Sequence, residues 1–509
     1  MSARCGALLG ALFVAGCIQV NPADGAFVCG IGGSCPGGYH CVAASNTCWH
    51  DGHDVAASDM SPDLTLPSSC SDGTTDGDET DVDCGGPTCP ACPANLACAV
   101  PRDCSTGSCV NQICQLASNS PKWLGLSMGL PQAAGPRAHF SGFVARDGLL
   151  MTVGGILNTM SGLTVITFDY KVGSGYQKRH ADLPHARAYH SCSPGPDGRI
   201  YVVGGCVTGA CSSNLVDAFD YASDTWNSPV PAANVVARRH AASAYAGGKL
   251  WLLGGFDGTN VLNSIEVYNP GPPDSWTKIT TALPTSRYGL AAVTGADDRV
   301  YTIGGVDGTA TTAPSLEIFD PKSTTFITGA NMSIGRGWAA AVAAPDGRIY
   351  AIGGTRNQTS ALATVEAYTP ATNSWAPVAA LNVPRWSGLA LVGPDNRIYF
   401  MGGNTAGSPT PSSVIEVYGP AIALAPGAGT AGVTNVSVMG SNFAANAIVD
   451  FFVGDRTAAP VASGTSDSSG ALSPTITLVI PAGAKSGSTK IFAVDRKSQY
   501  PAVATFLVQ

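Results

Sequence analysis

Six pairs of adjacent glycines set the plan of this chain: Gly154-Gly155, Gly204-Gly205, Gly254-Gly255, Gly304-Gly305, Gly353-Gly354 and Gly402-Gly403. Successive intervals are 50, 50, 50, 49 and 49 residues. A fixed period of this length means repeated supersecondary units, none able to bury its apolar face alone. The surrounding text repeats in register. An apolar run with an aromatic enters each pair, as in Ile200-Tyr201-Val202-Val203 or Leu250-Trp251-Leu252-Leu253. A second run follows, as in Ile265-Glu266-Val267-Tyr268, and then a Trp or Phe at Trp226, Trp276, Phe326 and Trp375.

Each unit reads as four strands. Arg187 to Ser193 suits an inner strand, and Pro196-Asp197-Gly198 is a hairpin turn in which Asp-Gly tolerates positive φ. The same slot holds Asp147-Gly148, Gly247-Gly248, Asp346-Gly347 and Asp395-Asn396, while Asp297-Asp298 fits it less well. Arg199 to Val203 is a β-branched and aromatic second strand. Val216 to Tyr221 is the third, and Trp226 opens the fourth. This pattern resembles the kelch repeat, whose fold is the β-propeller with one four-stranded blade per repeat. The expected fold is therefore all-β: a six-bladed propeller over residues 121–419. Trp123 stands where other repeats carry their blade-ending Trp, and no Trp follows the sixth repeat. One blade built from both ends of this segment would close the ring and remove free sheet edges.

The flanking segments read differently. Arg4 and the apolar run Ala7 to Ala15 form an export signal, and Val14-Ala15-Gly16-Cys17 resembles a bacterial lipobox. That resemblance implies a signal peptide over residues 1–16, a lipid on Cys17 and a place in the bacterial cell envelope, with Ile18 favouring the outer membrane. No other segment approaches the roughly 20 apolar residues of a membrane span. Cys29, Cys35, Cys41 and Cys48 form one module over residues 17–50. Cys70, Cys84, Cys89, Cys92, Cys98, Cys104, Cys109 and Cys114 form another over 70–116. Even counts in an exported chain favour disulfides, with connectivity left open. Cys89-Pro-Ala-Cys92 also has zinc-ligand spacing. The second module resembles cysteine-rich modules of myxobacterial surface proteins. Its acidic run (Asp72, Asp76, Asp78, Glu79, Asp81 and Asp83) has the oxygen-rich composition of calcium loops, though not EF-hand spacing; a solvated turn is the alternative. Residues 51–69 are a polar, proline-containing linker. Residues 420–509 carry short alternating strands and, through Gly440-Ser-Asn-Phe443 and Ile480-Pro-Ala-Gly, resemble an IPT/TIG or early-set immunoglobulin-like sandwich.

For function, the net charge of −8 supplies no basic footprint for nucleic acid. A ring followed by such a sandwich is also the layout of galactose-oxidase-type copper enzymes. All eight histidines lie at or before His240, however, so the C-terminal copper ligand of that family has no counterpart. A sialic-acid-processing propeller would use central arginines. Arg137, Arg187, Arg238, Arg287, Arg336 and Arg385 recur once per repeat, as do Glu266, Glu317, Glu366 and Glu416, which reads as repeat-holding pairs. His139, His190 and His240 lie near those arginines, without metal-type spacing. Cys206 and Cys211 suit a local disulfide, with Cys192 either a buried free thiol or a swapped partner of Cys206. The expectation is a non-catalytic surface protein with no cofactor. It binds a glycan or protein through the loops after the glycine pairs, with Phe256, Arg356 and Asn404 as contact residues.

Overall fold

The computed structural model describes residues 121–509 except 127–129, 131–134, 146, 158–161, 173–174, 228–234, 270–274, 358–359 and 406–409. Of residues 1–120 it describes only the backbone of Phe27–Val28, Tyr39–Val42, Thr47–His50, Cys109–Val110 and Ile113–Cys114. The chain divides into two compact units, Met1–Leu66 and Pro67–Gln509. In the first, Thr47–His50 pairs on either side with Phe27–Val28 and Tyr39–Val42. Cys17, the linker and the acidic run lie outside the described residues, as do all side chains of the two cysteine modules.

The second unit holds a six-bladed β-propeller. Its inner strands are Ser141–Val144, Ser191–Pro194, Ala242–Ala246, Ala291–Thr294, Ala340–Ala343 and Leu389–Val392. They lie side by side in that order, and the last abuts the first. Each blade adds three antiparallel strands outward. The second strands are buried along their length, except for Lys249 at the start of the third blade's, because both faces of the blade are covered by its neighbours. In the sixth blade the outermost strand is Trp123–Gly125, which pairs antiparallel with Ile415–Tyr418. Trp123 is buried, donates its indole N–H to the Ala379 carbonyl at 2.8 Å and packs on Tyr418.

The glycine pairs are the joints between blades. A Cβ on the first glycine would lie 2.3–2.7 Å from the carbonyl oxygen of the next repeat's arginine, from Gly154 against Arg187 round to Gly402 against Arg137. The second glycine donates its N–H to that same carbonyl, at 2.9 Å for Gly155 to Arg187 and for Gly403 to Arg137. Both glycines also have positive φ in every pair. Close approach and backbone geometry together exclude a side chain there.

The arginine side chain closes the same joint from the other side. All six guanidiniums are fully buried. Arg238, Arg287, Arg336 and Arg385 each donate to the first-glycine carbonyl of their own blade at 2.8–3.0 Å. They also meet Glu266, Glu317, Glu366 and Glu416 respectively. Arg187 meets Asp217 in the same register position, a carboxylate the sequence pattern of glutamates did not bring out. In the first blade that position is Phe168, and the Arg137 guanidinium lies over its ring at 4.8 Å. Burial lowers Arg137 to about 9.

A second repeated device fixes the opposite end of four of the blades. The tyrosine of the second strand donates to the turn aspartate four residues earlier, as in Tyr201 to Asp197, Tyr301 to Asp297, Tyr350 to Asp346 and Tyr399 to Asp395, all at 2.7–2.9 Å. Asp298 enters the expected turn despite its residue type, with φ 62°.

Residues 421–508 form two sheets packed on one core that includes Val436, Phe451, Ile491 and Phe506. Ala421–Ala425, Ala428–Gly429 and Ala462–Thr465 add strands beyond those legible in the sequence. These small-residue segments carry too little apolar contrast to announce themselves. The sandwich grips the turn end of blades five and six. Tyr500 is buried among Tyr350 and Tyr418 and donates to the Asn396 carbonyl at 2.7 Å. Asn442 bonds both the N–H and the carbonyl of Lys122, beside the closing strand. These contacts of the sandwich all lie at the turn end.

Candidate functional site

The expected inner strand from Arg187 to Ser193 is broken in two. Arg187–Ala188 pairs with Cys206–Val207 in the loop end, and Ser191–Pro194 runs down the channel. Between them Tyr189 has φ 59°. The same kink recurs two residues after every repeated arginine, at His139, Tyr189, His240, Gly289, Trp338 and Ser387, with φ between 49° and 61°. Each of these residues donates its N–H to the carbonyl of its counterpart in the preceding blade at 2.7–3.1 Å, and His139 donates to Ser387. Six hydrogen bonds thus run in a closed circle about the axis. Only Gly289 hints at this left-handed geometry in the sequence. The other five residues all carry side chains, which this region disfavours, so the ring imposes it.

The kink turns the side chains across the channel. Neighbouring ring centroids are 5.2 Å apart for Trp386 and His139, 4.3 Å for His139 and Tyr189, and 4.4 Å for Tyr189 and His240. They are 5.6 Å apart for His240 and Trp338 and 5.8 Å for Trp338 and Trp386. The circle of aromatics closes. Gly289 leaves the space that Trp338 fills, since a Cβ there would lie 2.9 Å from the indole. Trp338 donates to His240 Nδ1 at 2.9 Å, and Asn404 to His139 Nε2 at 3.1 Å.

These rings are the floor of a cavity of about 770 Å³ on the loop side. Its wall is the loop Cys206–Cys211, closed by a disulfide between those two residues, together with Arg239 and Leu163. Arg239 donates to the Cys211 carbonyl at 2.7 Å and lies over the Phe256 ring at 4.8 Å. A smaller cavity of about 140 Å³ lies against His139, Tyr189, His240 and Trp338 and reaches His190 and the other residues just before the inner strands. No Asp or Glu among the described residues lines either space. Among the described residues no group of three or more His, Cys, Asp or Glu is placed to hold a metal.

The residues expected to touch ligand divide. Asn404 is buried and braces His139, so it is a support behind the floor rather than a rim contact. Phe256 packs against Arg239 and Tyr288 behind the wall. Arg356 is partly exposed on its loop and does not line the cavity. Loop composition singled these residues out. The lining instead comes from the arginine-plus-two position and its neighbour, whose sequence identities vary and carry no motif. Cys192 is a free thiol, and burial pushes it up to about 12.

Burial holds all three histidines uncharged. His139 and His190 are lowered to about 3, Arg187 adding to the effect at His190; for His240 burial comes first, then His139 and Arg239. An unfolded histidine titrates near ~6.5. Between those values the unfolded chain takes up the proton and the folded chain does not, so stability falls as pH drops through this window. For His190 the loss between pH 7.5 and pH 5 is about 2 kcal/mol. Urea unfolding at the two pH values is expected to show the His190→Gln variant losing about 2 kcal/mol less than the parent. Equal losses would contradict a buried neutral His190.

The KLHDC2/KLHL20/DRC7 Kelch-repeats domain family matches residues 143–333, and the Kelch motif matches residues 339–382. The ring is built of kelch repeats. Beta-scruin of Limulus polyphemus is 28% identical over 186 residues, covering 34% of this chain and 20% of that protein. Kelch repeat-containing protein kel-10 of Caenorhabditis elegans is 27% identical over 164 residues, covering 31% of this chain and 27% of that protein. The kelch segment thus spans about a quarter or less of these relatives. Among solved structures, a fungal alcohol oxidase of the AA5 family in complex with copper covers 73% of this chain and 85% of its own, at 19% identity and a TM-score of 0.44.

Proposed function

We propose that this kelch protein is a non-catalytic binding protein that takes its ligand, a glycan or a protein segment, into the loop-side mouth of the ring. The observation that carries this reading is the aromatic floor with its disulfide-closed wall. A concave, preformed site with few polar groups is the usual form of a small-ligand pocket. Buried neutral histidines and a lining without carboxylates offer no paired acid and base for turnover. The repeated arginines, which a sugar-processing enzyme would aim into the channel, are instead spent on the blade joints. The lipobox-like Val14 to Cys17 and the cysteine-rich stretches support a ring tethered to a membrane through Cys17 and held away from it.

The test is an array of glycans and cell-surface proteins probed with the full chain and with Thr208→Trp. Thr208 is exposed on the cavity wall, so the substitution fills the mouth without touching the core. The expected result is capture of a ligand without its chemical change, weakened at least about tenfold (~1.4 kcal/mol) by Thr208→Trp at unchanged melting temperature. Capture indifferent to that substitution, or turnover of the captured molecule, would overturn the proposal.

A further inference from the structure

The chemistry of the mouth narrows the ligand. The rings of Tyr189, His240, Trp338 and Trp386 line the floor, with Tyr288 edge-on behind Trp338 at 5.5 Å. Aliphatic lining is confined to Leu163, Val207 and Ala210. The polar groups sit at the edges: the Thr208 side chain, Arg239 and the loop backbone. A sugar ring has the matching distribution, with C–H groups that rest on electron-rich aromatic faces and hydroxyls around its edge. An alkylammonium ligand would also suit aromatic faces, but Arg239 stands in the wall with no carboxylate beside it in the lining. An extended protein epitope needs about 800 Å² of matching surface per partner. The space here, about 770 Å³, is that of a small-molecule pocket.

Resting on the binding role proposed above, we infer that the mouth holds the terminal one or two rings of a saccharide, stacked on Trp386 and Trp338 and hydrogen bonded from Arg239 and the 206–211 loop. The histidines, held neutral by burial, leave the floor itself uncharged, and the guanidinium of Arg239 in the wall can hydrogen bond a sugar hydroxyl or a sugar carboxylate.

The experiment is calorimetric titration of the full chain with three probe sets: neutral oligosaccharides ending in glucose, galactose or mannose; the same chains ending in a uronic or sialic acid; and short peptides with aromatic or quaternary ammonium ends. Intrinsic tryptophan emission is followed in parallel. The expected result is binding of at least one oligosaccharide, neutral or acidic, with a change in emission. Affinity should fall about tenfold or more in Trp386→Ala and recover in part in Trp386→Phe. Arg239→Gln, which leaves the floor intact, should weaken it less. Circular dichroism establishes that each variant is folded. Binding confined to the peptides, lost in the same variants, would overturn the saccharide assignment and leave the mouth as the binding site. Saccharide binding unchanged in Trp386→Ala, Arg239→Gln and Thr208→Trp would overturn the mouth itself. Failure of every oligosaccharide to bind would overturn the inference.

Discussion

Deletion of residues 121–130 is expected to lower the melting temperature of the ring by about 10 °C or more, the largest effect in this molecule. The deletion removes the outer strand of the sixth blade and leaves Ile415–Tyr418 as a bare edge. It also removes Trp123, whose loss alone is worth about 3–5 kcal/mol for a buried aromatic. The Lys122 backbone, which Asn442 of the sandwich clasps, goes with it. At a few degrees per kcal/mol for a domain of this size, the combined losses exceed the stated shift. Exposed strand edges also promote aggregation, so the truncated chain should lose solubility on heating. Differential scanning calorimetry of both chains checks this. A truncated ring that melts with the full one would contradict closure by Trp123.

The second large effect concerns the blade joints. Glu366→Ala is expected to destabilise the ring by about 3–5 kcal/mol, because it strands a buried guanidinium. Arg336 keeps its bonds to the Gly353 and Thr364 carbonyls but loses its counter-charge, and Ser333 loses the acceptor of its N–H and hydroxyl. Replacing both partners, Arg336→Met with Glu366→Leu, should recover most of that loss, since a desolvated ion pair is often no better than an apolar pair of similar volume. The first blade is a natural intermediate: it keeps Arg137 but sets it against the Phe168 ring. Denaturant midpoints of the single and double variants decide the matter. A double variant no more stable than Glu366→Ala would mean that the arginine's bonds to the two carbonyls, not charge compensation, hold the joint.

The six blades were legible because the features that build them recur. The glycine pairs are demanded by contact with the next arginine carbonyl, and the turn residues by positive φ. Constraints of that kind admit few residue types, and repetition multiplies the signal. The arginines were legible as repeat-holding residues for the same reason. Their partners were legible only where they are glutamate; Asp217 and Phe168 occupy the same slot with different chemistry and escaped the pattern. The site was far less legible. Its floor is set by backbone kinks at His139, Tyr189, His240, Trp338 and Ser387. The circle of hydrogen bonds imposes these kinks, and no local preference predicts them. A position free to hold His, Tyr, Gly, Trp or Ser is where a repeat can vary, and variation at fixed geometry gives no motif. Loop composition pointed to the right end of the ring but to supporting residues such as Asn404.

The measurement closest to the central claim is hydroxyl-radical footprinting of the full chain, alone and with the glycan or protein that it captures. Binding at the mouth predicts protection of Tyr189, Trp338 and Trp386, with the exposed outer-strand Ile327 unchanged as an internal reference. Protection confined to the sandwich or to the outer faces of the blades, with the three aromatics as reactive as in the free protein, would contradict it.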